Sequence, residues 1–149
     1  MLKVVAYTDG ACSGNPGVGG YAGIINIDGK ETIVGGCSVK TTTNNKMELT
    51  AILAVIKELN AQKKRGCFVT LYTDSQYVKD CATHREKEWY ENHANKDIWF
   101  EIITAANNGK HKICFKKVKA HSGDPMNERC DKLAKEHCTR AKHLLLDVK

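Results

Sequence analysis

The sequence predicts a mixed α/β domain: a meander of three strands followed by helix, strand, helix, strand and helix. Three observations carry this. Early segments rich in β-branched and aromatic residues are joined by short turns. From Thr43 the apolar spacing changes to three and four residues, the period of a half-buried helix. Two later apolar segments each follow a helical stretch, the order that builds parallel crossovers.

Residues 2 to 8 form the first expected strand and residues 21 to 27 the second. Asp28-Gly29 supplies a hairpin turn into a third around 31 to 39. Leu49, Ile52, Leu53, Ile56 and Leu59 line one face of a helix of about four turns. It is expected to end near Lys63-Lys64-Arg65-Gly66, where cations suit the carboxyl end and glycine stops the helix. Cys67 to Thr73 reads as the fourth strand. Residues 75 to 108 read as two helices broken near Asn92 to Asn95, the second carrying Ile98, Trp99, Ile102 and Ile103. Residues 112 to 118 form the last strand, and Asp124-Pro125 opens the last helix, with Asp as N-cap and Pro at the first helical position.

A length of 149 residues fits one domain spanning 1–149. With 42% hydrophobic and 27% charged residues, the chain is neither disordered nor low in complexity. No apolar run reaches the roughly 18–20 residues of a membrane span, and the start lacks the features of a secretory signal, so a cytoplasmic location is expected. Seven cysteines with no CxxC pair fit free, mostly buried thiols rather than a disulfide framework or a zinc ribbon. The net charge of +6 is compatible with a polyanionic partner.

Candidate chemistry lies with the acids. Asp9 and Asp74 each follow an apolar strand in the near-repeat Tyr7-Thr8-Asp9-Gly10 and Tyr72-Thr73-Asp74-Ser75. The carboxyl ends of neighbouring parallel strands share one crevice, where such folds place ligands. Glu48 sits beside the apolar stripe of its helix, and Asp131 falls in the first turns of the last helix, beside Cys130. Crowded acids are costly unless they bind a cation, and oxygen-only ligands suit Mg²⁺ or Mn²⁺. Each acid alone has a plainer reading: Asp74-Ser75 as a helix cap, Glu48 as a surface acid. Gly17-Val18-Gly19-Gly20-Tyr21-Ala22 nominally matches a dinucleotide fingerprint, but a strand follows where that fingerprint needs a helix. The glycines are expected instead to make a tight connection between the first two strands.

Four segments then become specific: Tyr-Thr-Asp-Gly-Ala-Cys-Ser-Gly-Asn-Pro-Gly from 7 to 17, Thr-Thr-Asn-Asn-Lys-Met-Glu-Leu from 42 to 49, Tyr-Thr-Asp-Ser-Gln-Tyr-Val from 72 to 78, and Val-Lys-Ala-His-Ser-Gly-Asp-Pro-Met-Asn-Glu-Arg-Cys-Asp-Lys-Leu-Ala from 118 to 134. In this order they resemble type 1 ribonuclease H, the family that cuts the RNA strand of an RNA–DNA hybrid. The resemblance implies a ribonuclease H-like fold: a five-stranded mixed sheet, three strands antiparallel and two parallel, flanked by helices. It implies a catalytic set of Asp9, Glu48, Asp74 and Asp131 holding two Mg²⁺ ions, with Mn²⁺ able to substitute, and products with 5′-phosphate and 3′-hydroxyl ends. His121 matches a family histidine associated with proton transfer or product departure. Asn15, Asn45 and Gln76 resemble minor-groove contacts. Thr43 and Asn95 resemble part of a pocket for a DNA-strand phosphate, with Lys40 and Thr41 near the place where relatives often carry an Arg.

Many bacterial relatives also carry a basic, tryptophan-containing helix and loop after the third acid. Here that stretch is shorter, and residues 75 to 101 hold four cations against six acids. Positive charge gathers instead at Lys63-Lys64-Arg65 and at Lys110, Lys112, Lys116, Lys117 and Lys119. Trp89 is read as either an aromatic contact or a core residue. The expected partner is the RNA–DNA hybrid, with no membrane and no obligate protein partner, the chain acting as a monomer. A non-cleaving hybrid-binding module and another nuclease of the same fold, such as a junction resolvase or transposase core, remain alternatives. The presence of all four acids speaks against the first. Asn-Asn-Lys-Met-Glu-Leu and the His121 segment speak against the second.

Overall fold

Backbone pairing begins with a long meander: β1 (Lys3–Cys12), β2 (Gly17–Ile27) and β3 (Lys30–Thr42) are antiparallel neighbours. Then follow α1 (Asn44–Ala61), β4 (Phe68–Thr73), α2 (Gln76–Thr83), α3 (Lys96–Asn108), β5 (Lys112–Lys117) and α4 (Pro125–Val148). The computed structural model describes residues 1–84, 93–119 and 123–148. Sheet order is β3-β2-β1-β4-β5, with β4 parallel to both β1 and β5. This is the five-stranded mixed sheet of the ribonuclease H-like fold. Among the described residues, no helix is long and apolar enough to cross a membrane.

Successive strand residues point to opposite faces, and each face has its own apolar cluster. On one, Val4, Ala6 and Ile25 meet Leu49, Ile52, Val55, Ile56 and Leu59 of α1 and Trp99 and Ile102 of α3. On the other, Ala22 and Ile24 meet Cys130 and Ala134 of α4, with Tyr7 and Leu133 packed alongside. At about 25 cal/mol per Å² of buried apolar surface, these two layers supply the main force holding the helices to the sheet.

The helix ends follow their sequence signals closely. Thr43 Oγ1 accepts from Lys46 N at 3.2 Å and caps α1. Asp124 Oδ1 accepts from Met126 N and Asn127 N at 3.0 and 3.1 Å, ahead of Pro125. Ser75 Oγ caps α2 by accepting from Val78 N at 3.1 Å. The capping role that Asp74-Ser75 offered therefore falls to the serine. α1 closes earlier than its basic tail suggested, at Ala61, and the first left-handed residue beyond it is Lys63 (φ 59°). All seven cysteines are free thiols, four of them buried.

Two boundaries differ from the sequence reading. The glycines at 17, 19 and 20 are not a tight connection but the first half of β2, where Gly19 pairs with Cys12 and Gly20 with Ala11. The reason is a close approach: a Cβ on Gly20 would collide with the α4 backbone at Ala134 and Cys138. This pairing also carries β1 past Asp9, which therefore lies inside a strand rather than after one.

Candidate active site: an acidic centre and a polar cavity

The near-repeat of Tyr-Thr-Asp becomes a structural register. Tyr7 pairs with Tyr72 across the parallel β1–β4 ladder, their rings stacked with centroids 4.8 Å apart. Asp9 and Asp74 each lie two residues beyond that pair, so they stand level at the carboxyl ends of two parallel strands. β1 continues there only on its β2 side.

α1 brings the third acid. Gly10 carries no Cβ, and one built there would meet the backbone of Met47 and Glu48 well inside van der Waals contact. The bare glycine thus lets the first turn of α1 close onto β1. Gly10 N donates to Asp9 Oδ1 at 2.9 Å and to Glu48 Oε1 at 3.1 Å. One carboxylate oxygen from each of Asp9, Glu48 and Asp74 falls within 4.8 Å of the others. Asp9 and Glu48 are only 3% and 7% exposed, and Asp9 Oδ2 and Glu48 Oε2 are buried with no hydrogen-bond partner among the described residues.

An orphaned buried carboxylate oxygen is expensive, and two beside one another are more so. Burial, chiefly, pushes the Asp9 carboxyl up to about 7; the charges of Asp74 and Asp131 add to the rise, against a lowering contact with Glu48. Burial also holds Glu48 well above the usual carboxylate range, with the charge of Asp9 next in importance. A hard divalent cation removes both costs, because it takes oxygen donors and neutralises their repulsion. The donor set therefore fits Mg²⁺ or Mn²⁺.

Asp131 sits on the α4 side of this centre, close enough for its charge to act on Asp9. Its Oδ2 is 3.0 Å from Lys135 Nζ, one helical turn on. It is thus a peripheral acid of the group, ion-paired to a neighbour that the sequence did not single out. His121 falls outside the described residues, as does Trp89.

The polar residues singled out in the sequence separate into two places. Asn15, Thr43, Asn45 and Asn95 converge on one cavity of about 500 Å³, completed by Asn44, Lys46 and Ala94. Asn15 Oδ1 accepts from Asn44 N at 3.0 Å, which ties the loop after β1 to the start of α1. Asn95 is buried and donates from Nδ2 to Tyr77 Oη at 2.9 Å. Lys40 lies exposed on β3 and does not line this cavity; among the described residues the cation that does is Lys46. Gln76, at the start of α2 two residues past Asp74, is held by Lys117 Nζ at 2.9 Å and by Asp80 Oδ1 at 2.9 Å. Lys117 belongs to the lysine-rich strand noted in the sequence, and Lys46 to the Asn-Asn-Lys-Met-Glu-Leu segment. Neither is marked by periodicity, because their roles arise from contacts between elements.

Fold and site together define a class: a mixed-sheet α/β protein whose parallel strand ends carry a carboxylate centre suited to divalent cations. The family profile described as RNase H matches residues 1–139. A ribonuclease H of Francisella tularensis subsp. novicida is 42% identical over 141 residues, covering 89% of this chain and 88% of that one. A ribonuclease H of Idiomarina loihiensis is 41% identical over 143 residues, covering 90% and 87%. Among solved structures, LC9-RNase H1, described as a type 1 RNase H with the type 2 active-site motif, superposes with a TM-score of 0.80 at 25% identity, covering 95% of this chain and 74% of that one. The chain belongs to the RNase H family and is an enzyme of the ribonuclease class.

Proposed function

We propose that this chain is an endoribonuclease that cuts the RNA strand of an RNA–DNA hybrid, residues 1–149 forming one catalytic domain. The observation that carries the reading is the convergence, in an RNase H family member, of Asp9, Glu48 and Asp74 with two buried carboxylate oxygens that have no hydrogen-bond donor among the described residues. Asp9, Glu48, Asp74 and Asp131 would hold two Mg²⁺ ions, with Mn²⁺ able to substitute. Bound there, divalent cations supply Lewis-acid charge that activates water and stabilises the leaving oxygen of an in-line phosphodiester displacement.

The protein's own groups do the rest. Gly10 N–H holds one oxygen of Asp9 and one of Glu48, which fixes the two carboxylates beside one another where they would hold a cation. Asn15, Asn45 and Gln76 supply hydrogen-bonding groups to the minor groove, where 2′-hydroxyls distinguish RNA from DNA. Thr43 and Asn95, with Lys46 beside them, receive a phosphate of the DNA strand, and Lys40 adds charge from β3. His121 assists proton transfer or product departure. Products carry 5′-phosphate and 3′-hydroxyl ends. Because phosphate contacts fix register without reading bases, cleavage follows hybrid shape more than sequence.

The reading is tested by incubating the protein with labelled RNA–DNA hybrid, RNA duplex and branched DNA, each with Mg²⁺, Mn²⁺ or EDTA. Hybrid alone is expected to be cut, with either metal and not in EDTA. Binding without cutting, or equal cutting of branched DNA, would overturn it.

A further inference from the structure

Beside the polar cavity lies a hydrogen-bonded chain that the chemistry above does not use. Tyr77 Oη is 2.6 Å from His93 Nε2, and the two rings stack with centroids 5.1 Å apart. The same Tyr77 oxygen accepts from Asn95 Nδ2 at 2.9 Å. Asn95 lines the cavity and is only 8% exposed, so its amide has little freedom to turn without losing this partner.

Donor and acceptor identities fix the direction of the chain. Burial, above all, pushes the Tyr77 hydroxyl up to about 12, so it keeps its hydrogen across the working pH range. That oxygen already accepts from Asn95, and its own hydrogen needs an acceptor. His93 Nε2 can accept only when the imidazole is neutral with its hydrogen on Nδ1. When His93 is charged, both ring nitrogens donate: Tyr77 then faces two N–H groups, and among the described residues its hydrogen is left with only the weakly accepting Cys81 thiol. The surroundings favour the neutral form, since burial first and the charge of His84 second pull the His93 imidazole down. Among the described residues, the titratable groups around His93 are Tyr77, Cys81 (Sγ 3.9 Å from Nε2) and His84. Cys81 stays a thiol, because burial pushes it up to about 11.

An amide nitrogen carries two hydrogens. Tyr77 takes one from Asn95, which leaves the other to serve the cavity and prevents the amide from presenting its carbonyl oxygen to an anion instead.

We propose that His93 is a positioning residue: acting through the Tyr77 hydroxyl, it fixes the Asn95 amide as a donor to the DNA-strand phosphate of the bound hybrid. This rests on the hybrid-cutting reading above and adds to it a dependence on the uncharged state of one histidine. The test is hybrid binding by the full chain in EDTA, followed by fluorescence anisotropy at pH 8 and pH 5.5. Tyr77→Phe removes the hydroxyl and keeps the ring. His93→Gln keeps a side-chain acceptor and removes the titration. At pH 8, Tyr77→Phe is expected to weaken binding about fivefold, in line with one lost hydrogen bond, while His93→Gln binds like the unaltered protein. With Mg²⁺, Tyr77→Phe should raise KM by a similar factor and leave kcat unchanged, a split that simple loosening of the fold would not give.

Lowering the pH should weaken binding by the unaltered protein several-fold more than binding by His93→Gln; titrations common to both cancel in that comparison. Equal pH responses, or full-strength binding by Tyr77→Phe, would overturn the proposal and leave the hybrid reading standing. No binding by the unaltered protein at either pH would overturn both.

Discussion

Asp9→Asn is expected to abolish turnover, lowering kcat at least about a thousandfold on labelled hybrid, while the protein folds normally. Loss of one of the clustered carboxylates that draw cations into a buried site removes several kcal/mol of transition-state stabilisation, and each 1.36 kcal/mol is a factor of ten. The same substitution should stabilise the metal-free protein at alkaline pH. Asp9 is raised from 3.8 in an ordinary environment to about 7 in the fold, so the native state holds a proton that the unfolded chain has released. Stability from this group is complete below about pH 4 and is lost as pH rises through about 7. A shift of this size is worth on the order of 2–4 kcal/mol. Thermal unfolding in EDTA should therefore show Asp9→Asn melting above the unaltered protein at pH 8 and level with it near pH 4. Adding Mg²⁺ should raise the melting temperature of the unaltered protein at pH 8 far more than that of the variant. An active Asp9→Asn protein, or identical pH profiles of stability, would contradict the assigned centre.

Gly10→Val should damage both fold and site. The new Cβ would lie against Glu48 N, Met47 C and Met47 Cβ, and two of these three are backbone atoms that no rotamer change can move. Overpacking of this kind costs roughly 1–3 kcal/mol or more, which in a protein of this size lowers Tm by about 2–4 °C per kcal/mol. The strain is relieved by pushing the first turn of α1 off β1, which carries Glu48 away from Asp9 and pulls it off Gly10 N. Activity at 25 °C, where the variant remains mostly folded, should fall more than tenfold, and Mg²⁺ should stabilise it less than the unaltered protein. A variant with normal stability and activity would show that the close approach at Gly10 does not set the spacing of the acids.

Element order was legible in the sequence because it rests on local signals. The Leu49–Leu59 stripe, the Asp28-Gly29 turn and the Asp124-Pro125 start all act within a few residues of themselves, and the structure follows them. The acids were legible in part for the same reason. The repeated Tyr-Thr-Asp hinted at equivalent strand ends, and the Tyr7–Tyr72 register made that hint geometric.

What could not be read depends on contacts between distant segments. Whether Gly17–Gly20 turns or pairs is decided by α4, more than a hundred residues away, pressing on Gly20. Lys46 lines the polar cavity where Lys40 was the expected cation, a difference set by how β3 hands over to α1. Gln76 engages Lys117 of β5, forty-one residues away, a pairing with no sequence signature. The Lys-rich strand thus gains one defined role, with Lys117 reaching the element that carries Gln76.

The most direct test of the central claim is strand-resolved cleavage. A hybrid is labelled on the RNA strand in one preparation and on the DNA strand in another, and each is incubated with the protein in Mg²⁺ or in EDTA. Internal cuts confined to the RNA strand, leaving 5′-phosphate ends and absent in EDTA, are the predicted result. Cutting of the DNA strand, or RNA cleavage that persists in EDTA, would contradict it.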